Sequence, residues 1–242
     1  MAIAWIDGQW GSPHALGLSL ADRGLQLADG LFETLLVEGG RAWLLEEHLG
    51  RWQRSAALLA LPPPPGFAIV QPLISEAIAR SGIVCGALRL NWSRGGGTGG
   101  GGRGIAIAGS GPPGFWLQLS TAAPSFTPLR VIVSPTERRC ATSVLSQCKT
   151  FAYGPSIQAH RQAQAAGADD ALLPSSSGEL SCGTTSNLVV RSGSGSGTGW
   201  ITPPLSRVSR LDQHIEATAL SAQQPRPFLF HRRVDCSHGP EA

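Results

Sequence analysis

Lys149 is the one lysine of this 242-residue chain, in which 19 residues are Lys or Arg. A lysine that has lost its proton is an amine nucleophile and forms Schiff bases with carbonyl compounds. Arginine cannot take this role because its guanidinium group stays protonated in proteins. Any chemistry that needs a primary amine side chain must therefore use Lys149.

Tyr153 is the one tyrosine of the chain and follows Lys149 by four residues. Its hydroxyl group could hydrogen-bond a substituent of a bound aromatic ring. Four residues are about one helical turn, so the two side chains share a face if the segment is helical. This pair is the first candidate site.

Other chemistries have weaker signals. Gly109–Gly114 fits the pattern G-x-G-x-x-G, but prolines and a predicted strand stand where a phosphate-binding helix must begin. Gly95–Gly102 lacks the Gly-Lys-Ser/Thr of a nucleotide-binding loop. The six histidines include no H-E-x-x-H, and the five cysteines include no C-x-x-C. We therefore predict no metal site and no disulfide framework.

Composition predicts a folded protein of the reduced cytoplasm. Hydrophobic residues make up 42% of the chain and charged residues 14%, whereas disordered chains are charge-rich and apolar-poor. The formal net charge of +3 comes from scattered arginines, so we expect no nucleic-acid partner. No apolar run reaches the length of a membrane span, and the N-terminal residues lack a signal-peptide pattern. We expect no membrane partner and a cytoplasmic location.

The pattern of elements predicts a mixed α/β (α+β) chain of two domains. Residues 1–120 form a first domain, 121–128 an Ala-, Pro-, Ser- and Thr-rich linker, and 129–242 a second domain. Helical spacing predicts helices from Glu46 to the prolines at 62–65, over 69–80, and from Pro155 to Gly167. Strands are predicted at 3–6, 32–38, 86–92, 104–108, 115–119, 129–133, 170–173, 187–190 and 200–202.

Several motifs, taken in order, resemble the fold-type IV pyridoxal-phosphate enzymes, which include branched-chain and D-amino-acid aminotransferases and aminodeoxychorismate lyase. Residues 22–34 (DRGLQLADGLFET) are similar to the family's D-R-G-x-x-x-G-D-G-x-F-E-T, and 47–56 to its H-L-x-R helix. The segments 88–90, 102–104, 149–153, 167–173 and 185–188 follow in the family's order. The resemblance covers about residues 3–205.

The resemblance implies pyridoxal 5'-phosphate as cofactor, a two-domain D-amino-acid aminotransferase-like fold and a homodimer. Lys149 would bind the cofactor and then transfer protons, and Arg51 would bind the cofactor phosphate. Arg103 would bind a substrate carboxylate, and Phe32 would also contact the substrate. The further cofactor-binding positions are Tyr153, Cys182, Thr185, Ser186, Asn187 and Ser209.

Thr34 indicates which reaction to expect. The resemblance implies threonine here in aminodeoxychorismate lyases and other residues in aminotransferases. A hydroxyl group at this position could relay a proton during elimination of pyruvate, which makes Thr34 a second candidate catalytic residue. We therefore expect a lyase that converts 4-amino-4-deoxychorismate to 4-aminobenzoate and pyruvate, a step towards folate. Threonine is also an ordinary strand residue, so an aminotransferase of branched-chain or D-amino acids remains the alternative.

Two departures from the family pattern leave a degenerate, non-catalytic member as a third alternative. Cys182 lies five residues before Asn187, where the family has a glutamate that pairs with the cofactor's pyridine nitrogen. A thiol stabilises a pyridinium less well than a carboxylate, and a lyase driven by ring aromatisation would tolerate this better than a transaminase. Glu179 would need a three-residue shift that reverses its face of the strand. Residues 206–242 lack the family's closing strands, so we expect a truncated or divergent C-terminal end.

Overall fold

The structure is a computed structural model that describes residues 2–96, 105, 111–125, 127–192 and 199–203. The chain divides into two compact units. The first unit comprises Met1–Ala123 and Cys148–Phe151, and the second comprises Pro124–Gln147 and Ala152–Ala242. Among the described residues, no helix has both the length and the apolar character needed to cross a membrane.

The first unit is built on a six-stranded sheet of order β2-β1-β6-β5-β3-β4, in which all neighbours are antiparallel. A short helix, α1, precedes β3, and two longer helices connect β4 to β5. The strands are β1 (Ile3–Ile6), β2 (Gln9–Gly11), β3 (Gly30–Glu38), β4 (Arg41–Ala42), β5 (Cys85–Ser93) and β6 (Gly114–Thr121). The helices are α1 (Arg23–Leu27), α2 (Leu45–Leu58) and α3 (Phe67–Ser81).

Successive residues of β3 point to opposite faces of the sheet. One face, which we call the core face, packs against α2 and α3. Its buried residues include Leu31, Leu35, Val37, Leu88, Leu90, Leu117 and Leu119, and the helices contribute Trp52, Val70 and Ile74 to the same core. The other face, which we call the open face, carries Phe32 and Thr34 on β3. Their cross-strand partners on β5 are Asn91 and Arg89. The open face is therefore the more polar one.

The segment Cys148–Phe151 extends the sheet along the first half of β3. Phe32 donates its backbone N–H to the carbonyl of Lys149 at 2.9 Å, and Phe151 donates to the carbonyl of Gly30 at 3.1 Å. Cys148 is buried in the core cluster. These hydrogen bonds explain why the segment belongs to the first unit, whereas its position in the sequence suggested the second domain.

The helical spacing considered for Lys149 and Tyr153 is not present. Residues 149–151 are extended, because their backbone groups bond to β3, and the next helix begins only at Gly154. The hypothesis that both side chains share one helical face is therefore wrong. Lys149 is presented by a strand-like segment instead.

The second unit contains a three-stranded sheet of order β7-β8-β9. Strands β7 (Val131–Val133) and β8 (Asp170–Pro174) are parallel and are connected through α4 (Gly154–Ala165), as a parallel pair requires a crossover. Strand β9 (Leu180–Gly183) is antiparallel to β8. A hairpin of β10 (Val190–Ser192) and β11 (Gly199–Ile201) follows.

The predicted mixed α/β architecture is confirmed. The three predicted helices are present as α2, α3 and α4, and most of their ends differ from the prediction by one or two residues, whereas α2 ends at Leu58, before the prolines. Strand β9 was missed because Leu180–Gly183 has no β-branched or aromatic residue. The predicted strand at 187–190 lies later, at β10. The predicted strand at 104–108 falls outside the described residues except for Ile105.

Candidate functional site

Lys149 lies on the open face of the first unit. Its Nζ is 4.7 Å from the centre of the Phe32 ring, and its side chain is partly buried. The Phe32 and Phe151 rings are stacked with centroids 6.4 Å apart. An ammonium group over an aromatic ring is stabilised by the ring quadrupole. The amine is therefore held over an aromatic surface by a backbone that β3 fixes in place.

Gly30, at the start of β3, allows this segment to approach. A Cβ atom at this position would lie 2.7 Å from the Trp92 carbonyl oxygen and closer still to the Phe151 ring. Real Cβ atoms do not make such contacts, so any larger residue would displace Phe151. The last glycine of the D-R-G…G-D-G motif, Gly30, is thus required by the position of the lysine segment.

The two acidic residues of this motif anchor the chain before β3. Asp22 caps α1 by accepting a hydrogen bond from the Leu25 N–H at 3.2 Å, and it accepts a second from the Ser93 hydroxyl at 2.6 Å. Asp29 accepts from Nε of Arg23 at 3.0 Å and from Nε of Arg94 at 2.8 Å. The motif therefore ties α1 and the start of β3 to the end of β5.

The charge of Asp29 is stabilised by its two arginine partners. Burial would raise the pKa of this carboxyl group, but the hydrogen bonds and charges of Arg94 and Arg23 hold it below its ordinary value. Arg94 also donates to the carbonyl oxygens of Ala60 at 2.8 Å and Leu59 at 3.2 Å, just beyond α2. Arg94 thereby joins the end of the long helix to the start of β3.

Arg51 is buried on the core face, where Glu33 is its partner. Glu33 accepts a hydrogen bond from Nε of Arg51 at 2.8 Å and a shorter one from Nη2, and its Oε2 is 2.8 Å from Nδ1 of His48. Burial would raise the pKa of Glu33, but the charge and hydrogen bonds of Arg51, with those of His48, lower it to about 2. The predicted role of Arg51 at the cofactor phosphate stays a prediction. The sequence reasoning missed Glu33 and His48.

Arg89 is a further residue that the sequence did not single out. Its guanidinium carbon is 3.6 Å from the centre of the Phe32 ring, and its Nε donates to Oδ1 of Asn91 at 2.8 Å. It is the cross-strand partner of Thr34. Arg89 and Lys149 thus contact the same ring on the open face. The period-two pattern of β5, which places residues 89 and 91 on one face, was the available signal.

In the second unit, Cys182 lies near the predicted cofactor-binding turn. Cys182 is buried in a cluster of small apolar side chains that includes Ala171 and Leu173, and its backbone pairs with Asn187. Gly183 donates its N–H to the carbonyl of Ser186 at 2.7 Å. The turn formed by Thr185, Ser186 and Asn187 therefore begins three residues after Cys182. Tyr153 also belongs to this unit and precedes α4.

The turn is anchored by a buried carboxylate. The Thr184 hydroxyl donates to Oδ1 of Asp170 at 2.5 Å, and Nδ1 of His160 is 3.6 Å from the same oxygen. Two predicted site residues, Arg103 and Ser209, lie outside the described residues. Within the part of the chain that the structure describes, no three His, Cys, Asp or Glu side chains form a group that could hold a metal ion.

The known proteins that are similar to this chain include aminodeoxychorismate lyases and transaminases. A bifunctional aminodeoxychorismate lyase / D-amino acid transaminase of Mycobacterium tuberculosis is 29% identical over 222 residues, which cover 84% of this chain and 71% of the relative. The crystal structure of 4-amino-4-deoxychorismate lyase from Pseudomonas aeruginosa matches 92% of this chain and 79% of its own, at 27% identity and a TM-score of 0.68. A fold IV-transaminase from Curtobacterium pusillum matches 79% of this chain and 70% of its own, at 28% identity and a TM-score of 0.66.

The family model described as amino-transferase class IV matches residues 30–214, which is more than half of the chain. Members of this class are enzymes that depend on pyridoxal phosphate. The matched region includes β3, α2, the lysine segment and the turn after Cys182. The chain therefore belongs to the amino-transferase class IV family of pyridoxal-phosphate enzymes.

Proposed function

We propose that this protein is an aminodeoxychorismate lyase, which converts 4-amino-4-deoxychorismate to 4-aminobenzoate and pyruvate. The observation that carries the proposal is the position of Thr34. Its partly exposed side chain is on the open face, the same face as Phe32, whose ring the Lys149 amine contacts. A hydroxyl group beside a reacting amine suits proton transfer in an elimination. The lyase activity named for the relatives from Mycobacterium tuberculosis and Pseudomonas aeruginosa supports the same choice.

The open face fits pyridoxal phosphate, but two of the predicted binding residues do not. The amine of Lys149 is on a face lined by the rings of Phe32 and Phe151, which suits a flat aromatic cofactor. Arg51, which was predicted to bind the phosphate, is buried against Glu33 on the opposite face of the sheet. The thiol of Cys182 lies in an apolar cluster where a carboxylate partner for the pyridine nitrogen was expected.

Bound pyridoxal phosphate supplies an electron-withdrawing ring that stabilises negative charge at the substrate carbon. Lys149 would hold the cofactor through its Nζ and would accept the proton from the substrate carbon. Thr34 would relay this proton through its Oγ1 to the oxygen of the departing pyruvate group, as the bond between that oxygen and the substrate ring breaks. Arg89, whose guanidinium group lies over the Phe32 ring, binds a carboxylate of the substrate.

Cys182 is compatible with a lyase. A thiol provides less stabilisation for a protonated pyridine than a carboxylate does, so a carbanion would depend more on the substrate itself. In the proposed reaction the product ring becomes aromatic, which supplies that driving force. An amino-acid substrate of a transaminase gains no aromatic ring. The thiol therefore favours the lyase over the transaminase.

An aminotransferase of the same family is the second candidate. One observation favours it: the relative from Mycobacterium tuberculosis is described as bifunctional, with D-amino acid transaminase as its second activity. Catalytic groups on one open face could serve either reaction.

We also propose that the protein is a cytoplasmic homodimer, and light scattering of the purified protein would test the dimer.

The decisive experiment compares two assays on the purified protein with pyridoxal phosphate. Release of pyruvate and 4-aminobenzoate from aminodeoxychorismate is expected, and it should vanish in Lys149→Ala together with the absorbance band of the bound cofactor. Thr34→Val should lower the lyase rate about 100-fold, as for loss of one proton-transferring group, and should leave the band unchanged. Thr121→Val, an exposed threonine of β6 in the same sheet, is the matched control. Amino transfer from D-alanine or leucine to 2-oxoglutarate without pyruvate release from aminodeoxychorismate would reject the lyase.

A further inference from the structure

The open face of the first unit carries a cavity of about 170 Å³, which we call the β1–β6 cavity. One side of it is formed by the sheet, where Ala4 and Ile6 of β1 stand opposite Gln118 and Trp116 of β6. Directly opposite residues of an antiparallel pair lie on the same face. Gln118 is also the cross-strand partner of Arg89 on β5. The cavity is therefore on the same face of the sheet as the candidate site.

The second side of the β1–β6 cavity is formed by the segment that follows β2, which contributes Leu16 and Leu18. Leu16 packs against β2, because a Cβ atom on Gly11 would lie 3.3 Å from its side chain. The Ala15 N–H bonds to the Ser12 carbonyl at 2.9 Å and closes a turn in this segment. The turn and the contact with β2 therefore hold the apolar wall of the cavity in place.

The size and lining of the cavity indicate a small, flat and mostly apolar ligand. An engineered apolar cavity of about 150 Å³ in another protein binds benzene, so the β1–β6 cavity has room for one six-membered ring and not for two fused rings. The indole ring of Trp116 offers a flat surface for stacking. The Gln118 amide can both donate and accept hydrogen bonds. None of the residues that line the cavity, all of them in the described part of the chain, carries a charge.

An aromatic row leads from this cavity to the candidate site. The centroid of the Trp116 ring is 5.7 Å from that of Phe151, and Phe151 is stacked on Phe32 with centroids 6.4 Å apart. The Lys149 amine lies over the Phe32 ring. Lys149 is not one of the residues that line the cavity, so a ring bound there does not contact the reacting amine. The cavity is thus a second site beside the one where the reaction takes place.

We propose that the β1–β6 cavity binds a single-ring aromatic amine and that its ligand is 4-aminobenzoate. The choice of this ligand rests on the proposed function, in which 4-aminobenzoate is the product formed on the same face. The ring stacks on Trp116, and the amino group hydrogen-bonds the Gln118 amide. The carboxylate points out of the cavity into water, because no lining residue would compensate its charge. The protein thereby retains its product at a second site.

The test measures binding of 4-aminobenzoate to the protein with bound pyridoxal phosphate by equilibrium dialysis. The product can also occupy the reaction site, so the bound equivalents per chain are compared between variants while the cofactor absorbance band reports on the reaction site. Ala4→Leu fills the cavity, and Gln118→Leu removes the amide but keeps most of the side-chain volume. The matched controls are Ala57→Leu on α2 and Gln164→Leu on α4, both at exposed positions.

We expect the wild-type protein to bind one equivalent of 4-aminobenzoate per chain more than Ala4→Leu does. The dissociation constant of this equivalent should be about 1 mM or lower, as for a ligand of this size. Gln118→Leu should weaken it about fivefold, which corresponds to one hydrogen bond. The controls should bind like the wild type, and an aminonaphthoate, which has two fused rings, should not compete. Leu16→Trp fills the cavity from its other side and replaces Ala4→Leu if that variant does not fold.

Equal numbers of bound equivalents in the wild type and in a folded cavity-filling variant would overturn the inference. Competition by the aminonaphthoate, or an unchanged dissociation constant in Gln118→Leu, would overturn it as well. Failure of the lyase proposal has a different signature, because aminodeoxychorismate then gives no pyruvate while the additional equivalent of 4-aminobenzoate still binds. If the inference alone is wrong, pyruvate is released and the additional equivalent is absent.

Discussion

The buried carboxylate of Glu33 should make the stability of the first unit depend strongly on acid. The pKa of this group is about 2 in the folded protein, against an ordinary value of 4.5. A carboxyl group whose pKa is lowered by folding stabilises the folded state above its unfolded pKa. That stabilisation is fully present above about pH 4.5 and is lost as the pH falls through this value towards 2.

The size of the effect follows from these two pKa values. Each pH unit between them is worth about 1.4 kcal/mol, so protonation of Glu33 should remove about 3 kcal/mol of unfolding free energy. Glu33→Gln cannot titrate, so this acid-dependent part should disappear. The variant should also be less stable at pH 7 by about 3–5 kcal/mol, because Arg51 is left as a buried charge without its partner.

Urea unfolding between pH 7 and pH 3, followed by tryptophan fluorescence, measures both effects. Six of the seven tryptophans lie in the first unit, so the signal reports mainly on the unit that contains Glu33. The wild-type protein should lose stability steeply below about pH 4.5, and Glu33→Gln should show a flatter dependence. Glu76→Gln, which removes an exposed ion pair, should follow the wild-type curve. If Glu33→Gln lost stability as steeply as the wild type, the low pKa of Glu33 would be refuted.

Two further substitutions test how the site is supported. Gly30→Ala should lower the unfolding free energy by about 1–3 kcal/mol, because its Cβ would overlap the Phe151 ring. Gly17→Ala, at a position with open space, should not, and equal urea midpoints for the two would contradict the close approach. Thr184→Val should cost about 1–3 kcal/mol by removing a hydrogen bond to buried Asp170. Faster hydrogen exchange of the Gly183 amide would show it, and unchanged exchange would mean that the turn does not depend on Asp170.

Elements with a regular apolar pattern could be predicted from the sequence. Leu49, Trp52 and Ala56 recur at helical spacing and are all buried on α2. Strand β3 was predicted because aromatic and β-branched residues are dense in its sequence. The lysine segment could not be predicted as extended, because its conformation comes from hydrogen bonds to Gly30 and Phe32, which lie far earlier in the chain. Tertiary contacts decide the structure of such short segments.

The candidate site was predictable where a single residue type carries the chemistry, as with Lys149. It was less predictable where two residues that are distant in the sequence form an ion pair, as Glu33 and Arg51 do. Glu33 alternates with Phe32 and Thr34 and therefore had to share the core face with Leu31 and Leu35. A carboxylate on that face needs a buried partner. The sequence offered Arg51 on the buried side of α2, but nothing in the spacing of residues 33 and 51 shows that they meet. Only the packing of the helix on the sheet establishes that contact.

Neither the backbone hydrogen bond of residue 149 to Phe32 nor its contact with the Phe32 ring requires a lysine. Its hydrogen bond to Phe32 uses a backbone carbonyl that any residue could provide. Its side chain lies over the Phe32 ring, but Arg89 lies over the same ring at a shorter distance, so a guanidinium group can make that contact equally well. Apart from the six histidines, every other basic residue of the chain is an arginine. A lysine at this one position is explained by the property that arginine lacks, an amine that can lose its proton and bond to a carbonyl carbon.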